Sequence, residues 1–180
     1  MTILGIAGSL REKSYNRALL KAAQALVPEG VALESFDIRG IPVFSQDDET
    51  NVPEIVTRFK AKIRAADAIL LVTPEYNYSI PGGLKNAIDW ASRPYGDSAW
   101  NGKAVALMSA SIGTLGGARA QYHLRQCFVF LNMHPLNGPE VMVPNATQAF
   151  DENGNLINEQ TKELVKKQLA ALRDLAARHA

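Results

Sequence analysis

Short apolar segments alternate with helical segments along the whole chain, and this alternation limits the folds open to it. The run Ala-Ile-Leu-Leu-Val at residues 68–72 has no polar alternation, which is typical of a strand buried on both faces of a parallel sheet. Strands separated by helices predict βαβ units. We therefore expect an α/β fold with a doubly wound, five-stranded parallel sheet in three layers, α/β/α. Strands are predicted at residues 2–7, 33–37, 68–72, 104–108 and, more weakly, 140–143.

The helices between these strands are predicted from apolar side chains at intervals of three and four residues and from capping residues. A chain of 180 residues can bury a sizeable core, and no repeat, low-complexity tract or linker divides this one. We expect residues 1–180 to form a single domain. Helices are predicted at residues 17–27, 53–65, 82–91, 117–131 and 159–178.

Three loops of the predicted sheet share a composition that suits ligand binding. They span residues 8–16, 73–83 and 109–117, and they are rich in glycine, small hydroxyl side chains or aromatic side chains. Each follows a strand. In an open parallel sheet, ligands bind outside the carboxyl ends of the strands, where the strand order reverses. The sequence therefore predicts a ligand site at this edge.

The first loop, Gly-Ser-Leu-Arg-Glu-Lys-Ser-Tyr-Asn at residues 8–16, precedes a helix and carries Arg11. Unpaired backbone N–H groups and the positive end of the helix dipole favour an anion at such a place, and phosphate is the expected one. The alternative is that Ser14 or Asn16 simply caps the helix and that Arg11 is a solvated surface charge.

Two common nucleotide-binding motifs are missing from the sequence. Neither GxGxxG nor GxxxxGK[ST] follows the first predicted strand, which disfavours a Rossmann dinucleotide fold and a nucleoside-triphosphate enzyme. A phosphate loop beside loops with aromatic and amide groups suits a flat mononucleotide with polar edges. A flavin fits this description, and glycines would let the backbone approach its ring closely.

These loops resemble those of the NADPH-dependent FMN reductase family, in particular its bacterial quinone and chromate reductase branch. The resemblance runs from the first predicted strand to the end of the fourth helix, which is most of the chain. It implies a flavodoxin-like fold that binds FMN. The matching segments are GSLREKSYN at residues 8–16, PEYNYSIPGGLKNAIDW at residues 74–90 and SASIGTLGGARAQYHLRQ at residues 109–126.

The resemblance also implies roles for individual residues. The first loop would hold the FMN phosphate with Ser9, Arg11, Ser14, Tyr15 and Asn16. The second loop would flank the isoalloxazine ring, largely through backbone groups, with Pro74, Glu75, Tyr76 and Asn77. The third loop would line the other edge of the ring with Ser109, Ala110, Ser111 and Gly113.

The activity implied by the resemblance is hydride transfer from NADPH or NADH through FMN to quinones or similar small-molecule acceptors, with chromate, azo compounds or free flavin as further candidates. The flavin carries this chemistry, so no acid/base pair is needed and no catalytic side chain is expected. The alternative is a flavodoxin-type FMN electron carrier that turns over no small substrate. A near-neutral chain and an arginine in the phosphate loop both argue against that carrier.

Charge and composition limit the partners and the compartment. The chain has 19 Lys and Arg against 18 Asp and Glu, so we expect binding neither to nucleic acid nor to a membrane surface. No stretch approaches the roughly 20 apolar residues of a membrane span, and the N-terminus does not resemble a signal peptide. The single cysteine, Cys127, fits a reducing cytoplasm. The three histidines lack metal-ligand spacing, and no metal site is expected.

One helix face is a candidate for self-association. Arg119, Tyr122 and Gln126 recur at three- and four-residue spacing, and Arg and Tyr are enriched at the centres of interfaces. A solvated helix face would show the same spacing. The family resemblance implies dimers, often paired into tetramers, so we expect a homodimer or homotetramer in which Arg119 pairs with Glu140 across the interface.

Overall fold

A six-stranded sheet, parallel in every strand pair, runs through the computed structural model of the protein, which describes residues 1–179. The strand order is β2-β1-β3-β4-β5, and β6 also pairs with β4. This order confirms the predicted flavodoxin-like, doubly wound sheet. The strands are β1 (Thr2–Ala7), β2 (Ala32–Phe36), β3 (Ala68–Val72), β4 (Ala104–Ala110), β5 (His134–Pro135) and β6 (Val141–Val143).

Helices cover both faces of the sheet, as the apolar run in β3 predicts. Leu70 and Val72 belong to one core cluster, and Ile69 and Leu71 belong to the other. Helices α1 and α6 pack on the first cluster, and α2, α3 and α4 pack on the second. The helices are α1 (Tyr15–Ala25), α2 (Glu54–Ala65), α3 (Gly82–Ala91), α4 (Ala118–Leu131), α5 (Ala146–Ala149) and α6 (Glu159–Ala177).

The fifth position of the sheet differs from the prediction of one continuous strand. Strand β5 pairs with the beginning of β4, and β6 pairs with its end. Between these two pairings, the carbonyl of Leu107 accepts a hydrogen bond from Nε2 of Gln168 on α6 at 3.0 Å. The same Nε2 donates to the carbonyl of Pro139 at 2.7 Å. A buried side-chain amide thus replaces the missing ladder bond, because an unpaired buried carbonyl would be costly.

The turning point of the sheet lies between β1 and β3. From β1 the chain moves outward to β2, and it then crosses back to place β3 on the other side of β1. The loops that follow β1 and β3 therefore diverge at the carboxyl edge and leave a crevice there. The loop that follows β4 adjoins it.

Candidate functional site

Three loops meet at the carboxyl edge, as predicted. We call residues 8–14 the first loop, residues 73–81 the second loop and residues 111–117 the third loop. The hydroxyl of Tyr76 lies 3.3 Å from Oγ of Ser9, which joins the second loop to the first. The side chain of Asn16 joins the beginning of α1 to Ala110, at the end of β4. The structure thus brings the predicted residues into one neighbourhood.

The first loop presents hydrogen-bond donors that have no acceptor among residues 1–179. Oγ of Ser14 caps α1 by accepting from the N–H of Asn16 at 3.2 Å, which leaves its own proton available. The N–H groups of residues 12–15 and the guanidinium of exposed Arg11 donate to no group in the described part of the chain. Donors that converge before a helix N-terminus suit a phosphate.

Asn16 has a different role from the one expected. It is buried, its Oδ1 accepts from the N–H of Ala110, and its Nδ2 donates to the carbonyl of Ala110, both at 2.9 Å. The amide therefore forms a two-bond bridge between α1 and β4. The polar atoms of the Asn16 side chain are already paired inside the fold. Asn16 would therefore act on a phosphate only indirectly, by fixing the position of the first loop.

The second loop contains a tight turn at residues 76–79. The N–H of Tyr76 donates to the carbonyl of Ser79 at 3.1 Å, and the N–H of Ser79 donates back at 3.0 Å. Asn77 and Tyr78, at its centre, have φ of 48° and 71°. This left-handed conformation costs a non-glycine residue about 1–2 kcal/mol. Their own N–H groups have no acceptor among residues 1–179, so the strained turn presents two free donors.

Arg119, in the first turn of α4, holds the second loop. Its guanidinium carbon lies 3.6 Å from the centre of the Tyr78 ring, a cation–π contact that contributes about 0.5–2 kcal/mol. Glu75 receives two bonds from the same residue: Oε1 is 2.8 Å from Nη1, and Oε2 accepts the backbone N–H at 3.1 Å. The Glu75 carboxylate is thus engaged inside the protein, and the exposed face of the loop consists of Tyr76, Asn77 and Tyr78.

Ser109 lies inside the fold, not at the edge of the crevice. It is 0 % exposed, its hydroxyl donates to the carbonyl of Gly116, and it accepts from Nε2 of Gln121 at 2.7 Å. All of β4 is buried, which explains why its last residues cannot present side chains to a ligand. Ser109 was expected to line the edge of the ring, but its side chain is enclosed and hydrogen-bonded inside the fold. Ala110 is also buried.

Ser111 and Gly113 do lie in the open part of the third loop. The N–H of Gly113 donates to Oγ of Ser111 at 3.1 Å, and the loop is tied to β6 by the N–H of Ser111. Ile112 is 70 % exposed, so this loop also offers an apolar side chain to the solvent. Gly117 has a φ of +87°, and a Cβ there would lie 2.8 Å from Cβ of Ser109, so this position requires glycine.

A cavity of about 920 Å³ extends from the first loop toward the end of β2 and the turn at residues 151–154. It includes Arg11, Ser14 and Tyr15 but no residue of the second or third loop. At its margin Asp37 pairs with Arg17 at 3.3 Å and with Arg39 at 3.1 Å. Burial raises the pKa of Asp37, but the hydrogen bond from the Arg39 backbone and the two arginine charges together hold it below its usual value. The sequence did not predict this cavity.

Similarity to known proteins agrees with this geometry. The sequence model of the family described as NADPH-dependent FMN reductase matches residues 1–148. An NAD(P)H-dependent FMN reductase of Pseudomonas aeruginosa is 54% identical over 171 residues, which are 94% of this chain and 92% of the relative. This chain belongs to the NADPH-dependent FMN reductase family. A 2-hydroxy-1,4-benzoquinone reductase of a Burkholderia species is 42% identical, over 92% of this chain and 91% of its own.

A solved structure of the flavoenzyme NAD(P)H:(acceptor) oxidoreductase FerB, from Paracoccus denitrificans, superposes with a TM-score of 0.91. It is 35% identical, and the match covers 99% of this chain and 98% of FerB. This member of the FMN reductase family thus shares its whole described fold with a flavoenzyme. Within residues 1–179 no helix is long and apolar enough to cross a bilayer, and no cluster of three or more His, Cys, Asp or Glu could hold a metal.

Two residues that shape the candidate site are absent from the sequence-based predictions of it. The spacing on α4 predicts that Arg119 lies at a subunit interface, and it predicts no role for Gln121. Gln121 is 0 % exposed and lies on the buried side of α4 with Leu124 and Phe128. A polar residue at an apolar helix position was the available signal for Gln121, since buried polar groups require partners.

Proposed function

We propose that the protein is an FMN-dependent NAD(P)H oxidoreductase that transfers hydride from NADPH or NADH to quinones or similar small acceptors. The observation that carries this proposal is the pair of unpaired donor sets at the β1–β3 crevice. One set suits a phosphate, and the other, at Asn77 and Tyr78, suits the acceptor atoms at the edge of a flat ring. The relatives named as FMN and quinone reductases support the same function.

The residues divide into two functional groups. Arg11, the Ser14 hydroxyl and the N–H groups of residues 12–15 would hold the phosphate, with Ser9 and Tyr15 beside them. Pro74, Tyr76 and Asn77 would flank the ring, and Ser111 and Gly113 would face it from the third loop. Bound FMN supplies the hydride acceptor and donor, so the protein contributes position, donors and exclusion of water. Exposed Tyr76 and Ile112 provide apolar contacts for a quinone at the open side.

An FMN electron carrier without substrate turnover is the alternative, and one experiment separates the two. The apoprotein is titrated with FMN by fluorescence, and the complex is then mixed anaerobically with NADPH or NADH. We expect the yellow colour to bleach rapidly and to return when benzoquinone is added. A complex that binds FMN but is not reduced by either nucleotide would favour the carrier. No FMN binding at all would contradict both functions.

We also propose that the protein assembles with two-fold symmetry, as a homodimer or homotetramer, through the outer face of α4. This face exposes Tyr122, Val129 and Phe130, at 50 %, 84 % and 79 %. The predicted pairing of Arg119 with Glu140 is less suitable than expected, because Arg119 is held by Glu75 and Glu140 contacts Tyr122 of the same chain at 3.4 Å. Light scattering tests this proposal. The substitution Phe130→Glu should lower the mass of the assembly, and a monomeric wild type would contradict the proposal.

We also propose that residues 1–180 form a single domain and that the protein is cytoplasmic. One sheet carries both core clusters, which supports a single domain over residues 1–180. The single cysteine supports a cytoplasmic location.

A further inference from the structure

The two loops proposed to face the ring are both attached to the first turn of α4. Arg119 extends from this turn to the second loop, and Gln121 extends from it into the layer beneath the third loop. We infer that this turn is the positioning element of the site, so that Arg119 sets the shape of the second loop and Gln121 sets that of the third. This inference rests on the proposed function, since it concerns the same site.

Arg119 stabilises a conformation that the second loop would not otherwise retain. A tyrosine in the left-handed region, as at Tyr78, is uncommon and requires support from its surroundings. The guanidinium stacks on that ring while it pairs with Glu75, so one side chain contacts both ends of the segment that contains Asn77. Arg119 therefore sets the direction of the free N–H groups of Asn77 and Tyr78.

Gln121 acts through other residues, because it cannot touch a ligand. It is fully buried, and its Nε2 donates both to Oγ of Ser109 at 2.7 Å and to the carbonyl of Val141 at 2.8 Å. The Ser109 hydroxyl in turn donates to the carbonyl of Gly116, inside the third loop. This chain of hydrogen bonds connects α4, β4, β6 and the third loop.

The protein contains a matched control for Gln121. Gln168 is also buried, its Nε2 also donates two hydrogen bonds, and its Oε1 is also unpaired among residues 1–179. It differs in its position, because its partners are the carbonyls of Leu107 and Pro139, outside the three loops. Replacing either amide by methionine removes two hydrogen bonds and keeps a similar volume.

The first experiment compares Gln121→Met with Gln168→Met. We expect both to lower the melting temperature to a similar extent, and only Gln121→Met to weaken FMN binding, by about tenfold. Ser109→Ala, a smaller change that interrupts the same chain of bonds, should reproduce the weaker binding if Gln121→Met folds poorly. FMN affinities that change equally in Gln121→Met and Gln168→Met, or an unchanged affinity in Ser109→Ala, would overturn the role of Gln121.

The second experiment tests Arg119 without any cofactor. Hydrogen exchange of the Tyr76 and Ser79 amides, which close the turn, is measured in the apoprotein of the wild type, Arg119→Gln and Arg119→Lys. We expect exchange to be about tenfold faster in Arg119→Gln and only partly faster in Arg119→Lys, which keeps a charge for Glu75. Arg173→Gln, which removes a partly exposed arginine on α6, should leave this exchange unchanged. Equal exchange in wild type and Arg119→Gln would overturn the role of Arg119.

These measurements also separate this inference from the proposed function. If the wild type took up no FMN, the proposed function would fail, while the exchange of the turn amides would still decide whether Arg119 holds the second loop. Light scattering on the same samples separates positioning from assembly. A faster exchange that appeared only together with a lower mass would assign Arg119 to the subunit interface and overturn the inference.

Discussion

Polar groups at the two ends of the sheet differ in whether they have hydrogen-bond partners within the chain. At the amino end, Nζ of Lys103 donates to the carbonyls of Arg64 and Ala66 at 2.8 and 2.6 Å, which closes the end of α2. There, too, Oδ2 of Asp67 accepts the N–H of Thr2 at 2.6 Å. At the carboxyl end, the Arg11 guanidinium and the N–H groups of Asn77 and Tyr78 have no partner among residues 1–179.

We infer that this difference separates structural polar groups from those that bind a ligand. Charged and polar groups that close a helix or a strand end lower the energy of the fold, and their partners are in the chain itself. Free donors beside a strained turn raise the energy of the isolated chain, so a ligand that accepts their bonds gains affinity. The carboxyl end is therefore the part of the molecule that binding should stabilise most.

We expect the largest difference in FMN binding between two variants that each add one methyl group, by replacing a glycine with alanine, at opposite ends of the sheet. Gly117 and Gly102 both have left-handed backbones, so alanine costs each about 1–2 kcal/mol of strain. At Gly102 the new Cβ meets nothing within 4 Å, whereas at Gly117 it overlaps Cβ of Ser109 at 2.8 Å. We expect Gly117→Ala to weaken FMN binding by more than about tenfold and Gly102→Ala to lower only the melting temperature.

Fluorescence titration and thermal melting of the two glycine variants provide the measurement. If Gly102→Ala weakened FMN binding as much as Gly117→Ala did, the two ends of the sheet would not differ in function as we infer.

Removing one cation from each end of the sheet, Arg11 or Lys103, should have opposite effects on FMN affinity and on the stability of the apoprotein. Loss of a charge-assisted hydrogen bond costs about 1.5–3 kcal/mol, so Arg11→Ala should weaken FMN binding by roughly 10- to 100-fold with little change in the stability of the apoprotein. Lys103→Met should lower the stability of the apoprotein and leave FMN binding nearly unchanged, because the carbonyls of Arg64 and Ala66 lose their donor. Measuring FMN affinity and urea unfolding on both variants tests the pair. Unchanged affinity in Arg11→Ala would remove this residue from the phosphate site.

The sequence predicted the sheet and the meeting of the three loops better than the contacts of individual side chains within those loops. Apolar runs such as residues 68–72 determine strands, and strand order determines which loops meet, so the three loops could be found in advance. Ser109 could not be placed correctly, because its motif does not reveal that it ends a fully buried strand. At the split between β5 and β6, the free carbonyl of Leu107 is paired with Gln168, which is distant in sequence. Such long-range polar contacts leave little periodic signal.

The smallest effect concerns the acid stability that Asp97 contributes at the amino end. Asp97 receives hydrogen bonds from Lys60 at 2.8 Å and from Arg64 at 2.6 Å. The bond from Lys60, with that from Arg64, holds the pKa of Asp97 below its usual value of 3.8. Because the folded pKa is the lower one, the carboxylate stabilises the fold above about pH 4, and this stabilisation disappears as the pH falls through the folded pKa.

Thermal melting of wild type and Asp97→Asn between pH 7 and pH 3 tests this expectation. Asp97 is more than half exposed, so solvent screening keeps the difference between the two proteins small. The difference should be constant from pH 7 to about pH 5 and should shrink as the pH falls further. FMN affinity at pH 7 should be the same in both proteins, since Asp97 and its partners lie away from the three loops. A difference in melting temperature that grew toward low pH would mean that Asp97 does not contribute through its charge.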